Sequence, residues 1–172
     1  MDGCRVLLFG AGKMAELTAS HLLSQGAPKL FVANHHLERA EALAMRFLGQ
    51  AVPWTQVYEL MGDMDIIITS TGAPHYVISP REMAKAMERR RSERQLVLID
   101  IAVPRDVDPA VGDLPAAGPQ VVEIAVSADA KPGVYRIGDV NLRVVDRVLP
   151  PAFHPLLYAL LMDLLLPVIP VP

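Results

Sequence analysis

The chain has 172 residues, of which 52% are hydrophobic and 20% charged, and a formal charge of -3 at pH 7. That balance excludes a disordered acidic tail, a collagen-like or low-complexity fibre and a strongly basic nucleic-acid-binding arm, and the length suits one domain with a buried core. The one cysteine, Cys4, excludes an internal disulfide framework and a multi-cysteine metal site.

Taken in chain order, residues 5–9 form a short apolar run that reads as a strand. The sequence Gly10-Ala11-Gly12-Lys13-Met14-Ala15 follows at once, and then a helical spacing through Met14, Leu17, Thr18, His21 and Leu22. A second strand over residues 30–33 leads to a helix marked by Leu37, Ala40, Leu43, Ala44, Phe47 and Leu48. The alternation continues with a strand at 50–52, a short helix near 56–61, a strand at 66–70, a helix from Pro80 to about residue 91 and a strand at 96–101. Ser79, Pro80 and Glu82 form a capping box that marks the start of that last helix. Strands apolar on both faces, each followed by a helix, predict an α/β fold with a doubly wound, mostly parallel, Rossmann-like sheet.

Composition then changes. Four of the fifteen prolines stand in residues 1–100 and eleven in 101–172, where further strands are expected at 120–126 and 134–137. We read residues 1–149 as the nucleotide-binding domain and 150–172 as an apolar, proline-rich tail, an irregular extension of the fold. From Phe153 onward only His154 and Asp163 are polar, but Pro155, Pro167 and Pro170 leave too short a helical stretch for a membrane span, so none is expected. Packing on the domain or on a partner, a second copy included, is the alternative use of such a tail. Asp2 in place of a basic n-region and the short apolar run after it argue against a secretory signal, and a cytoplasmic location is expected.

The glycine pattern carries the chemistry. After a strand and before a helix, Gly10 permits a tight turn, Gly12 lets backbone approach a pyrophosphate, and Ala15 allows close helix–strand contact. The pyrophosphate then lies on the helix N-terminus, near Ala11, Lys13 and Met14. At the end of the second strand an acidic residue would hold the ribose 2′-hydroxyl of NAD, whereas a 2′-phosphate needs that acid absent and a cation nearby. Asn34 is neutral, and His35, His36 and Arg39 offer donors, so NADP(H) is the expected cofactor; an exposed loop is the plainer reading of the histidine pair. Adjacent histidines without supporting ligands do not make a metal site. Ser70, Thr71, Gly72 and Ala73 follow the fourth strand, at the sheet edge where α/β folds bind ligands, and suit the cofactor's flank. Asp100, Arg105 and Asp106 belong to the same rim, either functional or as turn formers. Arg89, Arg90, Arg91 and Arg94 read as a solvated helix end or as contacts to nucleic-acid phosphate.

These motifs together resemble the NADPH-binding domain of glutamyl-tRNA reductase, related to the quinate/shikimate dehydrogenase NAD(P)-binding domains. The resemblance runs from about residue 4 to residue 115. It rests on Gly-Ala-Gly-Lys-Met, on Val32-Ala33-Asn34, on the run from Leu37 to Ala44, on Ser70-Thr71-Gly72-Ala73-Pro74, and most specifically on the segment from Leu98 to Pro109. It implies an oxidoreductase of porphyrin and tetrapyrrole biosynthesis that reduces glutamyl-tRNA to glutamate-1-semialdehyde with NADPH. Where the family reads Asn-Arg-Thr this chain has Asn34-His35-His36. The family's thioester-forming cysteine belongs to an N-terminal catalytic domain, and its dimerisation helices to a C-terminal one; the resemblance reaches neither. The chain is therefore expected to be incomplete alone, to carry no catalytic residue, and to meet glutamyl-tRNA only within a whole enzyme. Cys4 reads as a small near-core residue. Residues 115–132 read as an insertion before the family's last strand. The alternatives are a non-catalytic nucleotide-binding or interaction protein and the cofactor domain of a shikimate dehydrogenase-like enzyme.

Overall fold

The first strand and the turn after it organise everything else. In the computed structural model, which describes residues 4–24, 29–91, 96–114, 120–126 and 140–144, β1 (Arg5–Phe9) lies at the centre of a sheet ordered β3-β2-β1-β4-β5-β6-β7. Here β2 is Lys29–Ala33, β3 Gln50–Val52, β4 Ile66–Thr69, β5 Val97–Asp100, β6 Gln120–Val126 and β7 Val140–Val144. Every neighbouring pair is parallel except β6 and β7. The first six strands thus have the order of a doubly wound dinucleotide-binding sheet, which reverses direction between β1 and β4.

Because both faces are covered by helices, successive strand residues feed two separate cores. Val6, Leu8, Val32, Ile66 and Ile68 pack under α1 (Lys13–Ser24) and α2 (Leu37–Arg46). Leu7, Phe9, Ile67 and Leu98 pack under α3 (Trp54–Leu60), α4 (Pro80–Arg89) and two short 3-10 turns, Met61–Asp63 and Pro109–Asp113. The capping box at α4 forms as expected, with the Glu82 amide donating to Ser79 Oγ and the Ser79 amide to Glu82 Oε2.

The helix faces differ in one respect from the periodicity. In α1 the buried side chains are Ala15, Thr18, Ala19, His21 and Leu22, whereas Met14 and Leu17 stay about 40% exposed. Small residues at the contact let the helix lie close on the sheet, and the larger ones are pushed to its rim. Gln120–Val126 forms the strand expected there and pairs with β5, within the stretch 115–132 read as an insertion. The expected strand at 134–137 and the tail from residue 150 lie outside the described residues, whereas β7 is a strand the sequence reading had not identified. Among the described residues no helix is long and apolar enough to cross a membrane, and no group of His, Cys, Asp and Glu side chains is arranged to hold a metal.

Candidate functional site

The carboxyl ends of the parallel strands form one edge, and at its centre the chain leaves β1 through Gly10, Ala11 and Gly12. Gly10 has φ +106°, a backbone conformation that favours glycine, and a Cβ there would sit 2.8 Å from the Ser70 carbonyl oxygen. Its amide donates to the Ala33 carbonyl at 2.8 Å, and the Ser70 amide donates to the Phe9 carbonyl at 2.9 Å, so the turn is tied to β2 on one side and to the end of β4 on the other. Gly12 is different in kind. A Cβ at Gly12 would meet no atom within 4 Å. The first bond of α1 runs from the Glu16 amide to the Gly12 carbonyl, so the amides of Lys13, Met14 and Ala15 precede the helix's own hydrogen-bond ladder. An open approach to backbone beside the positive end of a helix fits a pyrophosphate.

The residues after β4 lie beside this turn with their hydroxyls engaged. Ser70 Oγ donates to the Phe9 carbonyl, and Thr71 donates to Asp106 through both its amide and its hydroxyl. Asp100 accepts from Thr69 Oγ1 and from the amides of Ala102, Asp106 and Val107. Asp100 and Asp106, both buried, therefore hold the β4 and β5 loops together; the rim carboxylates flagged in the sequence serve as anchors. Gly72 faces open space, and Ala73 packs against the α3/α4 core.

Burial raises the Asp106 carboxyl above the usual aspartate range, against the Thr71 hydrogen bonds that lower it. The folded chain thus holds this proton more tightly than the unfolded one. Its contribution to stability is fully present below the unfolded pKa and is lost as pH rises through the folded value. Asp106→Asn should accordingly gain on the native chain as the pH is raised from about 4 toward neutrality, read from urea midpoints of both proteins; parallel pH curves would contradict this.

After β2, Asn34 Nδ2 donates to the His36 carbonyl at 3.0 Å, closing the turn into α2, and the amides of Arg39 and Ala40 bond the same carbonyl. The His35 ring stacks on Trp54, with centroids 3.8 Å apart and planes 26° apart. Trp54 is braced in turn by Phe9 edge-on at 5.7 Å and by Tyr58 at 6.3 Å. The structure thus brings Gly10, Ala11, Gly12, Lys13, Met14, Ser70, Thr71, Gly72 and Ala73 around one turn, with Asn34, His35 and His36 at the end of the adjacent strand and Arg39 in the first turn of α2. Trp54 is the residue of this edge that sequence reasoning missed. Its place directly after β3 was the available signal.

Two features lie elsewhere. A cavity of about 340 Å³ lined by Gln50, Pro53, Gln56 and Glu59 borders the outer strand β3, with β2 between it and β1. Arg90 donates to the carbonyls of Gly62 and Met64 and Arg89 pairs with Glu59, so both arginines serve the carboxyl end of α4.

Comparison with known proteins agrees with this geometry. Residues 1–124 match the family described as shikimate / quinate 5-dehydrogenase. A glutamyl-tRNA reductase of Syntrophus aciditrophicus is 53% identical over 114 residues, 66% of this chain and 27% of that protein. One from Desulfitobacterium hafniense is 46% identical over 114 residues, 66% of this chain and 26% of its own length. Among solved structures, the glutamyl-tRNA reductase of Methanopyrus kandleri superposes with a TM-score of 0.63 at 33% identity, over 67% of this chain and 29% of that one. The chain spans about a quarter of the length of the curated relatives it matches. By this match, by its strand order and by the glycine turn at its switch point, the chain belongs to the shikimate/quinate 5-dehydrogenase family, with a dinucleotide-binding fold.

Proposed function

We propose that this chain is the NADPH-binding module of a glutamyl-tRNA reductase. The observation that carries the reading is the open backbone approach at Gly12 beside the start of α1, in a segment 46–53% identical to enzymes of that name. Gly10 shapes the turn, Gly12 and the amides of Lys13 and Met14 receive the pyrophosphate, and the Asn34–His36 turn with Arg39 receives the 2′-phosphate. Asn34 exerts none of the repulsion an acid would exert on that phosphate. The loop of Ser70, Thr71, Gly72 and Ala73, anchored through Asp106, flanks the cofactor. NADPH supplies a hydride, and these residues hold and orient its carrier.

The acyl acceptor is outside this site. Cys4 is buried at the amino end of β1, and five residues of strand at about 3.3 Å each separate it from the glycine edge by more than about 15 Å, too far for a thioester on Cys4 to meet the cofactor. The 172-residue polypeptide alone should therefore show no NADPH oxidation with charged glutamyl-tRNA, and Cys4→Ser should change nothing. Grafted in place of the matching segment of the Syntrophus aciditrophicus enzyme, residues 4–114 should sustain NADPH-dependent reduction. A folded graft that binds NADPH yet reduces no glutamyl-tRNA would overturn the proposal, as would turnover by the isolated chain that Cys4→Ser abolishes.

A further inference from the structure

Trp54 belongs to none of the motifs above, yet it links His35, in the loop after β2, to the core residue Phe9. Its indole meets the buried Phe9 at the end of β1 edge-on and stacks with the His35 imidazole, and its third aromatic neighbour, Tyr58, is fixed by a hydrogen bond from its hydroxyl to the Val77 carbonyl at 3.0 Å. An imidazole on an exposed loop ordinarily samples several rotamers, and freezing the ring into one of them on binding costs entropy. Stacking on a braced indole removes that cost beforehand and leaves the ring's nitrogen-bearing edge as the part of His35 that can hydrogen-bond.

We propose that Trp54 is a positioning residue for cofactor selection: by holding His35 in one orientation, it makes that imidazole a preorganised donor to the 2′-phosphate of the adenosine end. The inference rests on the dinucleotide-binding reading and deepens it. It also explains how a histidine can stand where the resembling family places an arginine. Arginine reaches a phosphate with a forked, always charged group, whereas histidine offers a shorter and singly directed donor whose usefulness depends on being aimed.

The chain has one tryptophan, so its emission reports on this pair without labelling. Adenosine 2′,5′-bisphosphate, which lacks the nicotinamide, should alter Trp54 emission and bind the native chain about tenfold more tightly than 5′-AMP, the difference expected for one hydrogen bond to a charged group. His35→Gln and Trp54→Leu should each lose most of that tenfold preference by calorimetry while leaving 5′-AMP affinity nearly unchanged. The double variant should be no worse than either single one, because both remove the same interaction. Trp54→Phe retains an aromatic platform and should recover most of the preference, which separates positioning from a general loss of packing if Trp54→Leu folds poorly. Additive losses in the double variant, or equal losses of bisphosphate and 5′-AMP, would overturn the role of Trp54 while leaving dinucleotide binding standing. If the native chain binds no NADPH at all, the underlying reading fails and this one with it.

Discussion

Gly12→Val is expected to abolish NADPH binding, by at least about 100-fold in affinity, while the protein remains folded. The magnitude follows from losing two or more charge-assisted hydrogen bonds between backbone amides and the pyrophosphate, each contributing about 1.5–3 kcal/mol. The specificity of the effect follows from the geometry: a Cβ at Gly12 meets nothing within 4 Å beyond its own chain neighbours, so valine's methyl groups would stand in the open space at the start of α1 where the proposed pyrophosphate site lies. The fold loses only the poorer helix-start propensity of valine, about 1 kcal/mol. Circular dichroism with calorimetry reads both quantities, and a folded variant that still binds NADPH would mean that the glycine turn is not the pyrophosphate site.

Gly10→Ala should fail in the opposite way, through the fold. At φ +106° a Cβ is strained in any surroundings, and here it also lies 2.8 Å from the Ser70 carbonyl oxygen and 3.1 Å from Ser70 Oγ. Backbone strain of about 1–3 kcal/mol and overpacking of similar size give an expected destabilisation of about 2–6 kcal/mol. Ser70 cannot simply retreat, because its amide and hydroxyl both bond the Phe9 carbonyl. Two glycines separated by one residue thus differ in their surroundings: Gly10 is enclosed where β1, β2 and β4 meet, and Gly12 lies open at the start of α1. Equal stability of the Gly10→Ala chain in urea would contradict the assignment.

The local parts of this structure were legible in the sequence. The strand Arg5–Phe9, the glycine turn, and the capping box of Ser79 and Glu82 depend on neighbours within a few positions, and their residue types state the requirement directly. What depended on distant partners was not legible. Ser70 and Thr71 look like ligand donors, yet their hydroxyls reach Phe9, 61 positions away, and Asp106, 35 positions away. Asp100 and Asp106 likewise reveal themselves as loop anchors only once β4 and β5 are side by side. His35 and Trp54 meet only because β2 and β3 are adjacent and end at the same edge. In α1, periodicity pointed to the larger residues Met14 and Leu17, whereas close approach to the sheet favoured Ala15 and Ala19; hydrophobicity and fit rank residues differently where a helix lies tight on a sheet.

On the proposed function, the edge built from Gly10, Gly12 and the Asn34–His36 turn takes NADPH. Calorimetric titration of the 172-residue chain with NADPH and with NADH tests it most directly. Binding is expected at one site, with NADH at least about tenfold weaker because the donors around Asn34 then lack a 2′-phosphate to meet. Equal affinities or tighter NADH would contradict the selection, and no binding of either would contradict the site itself.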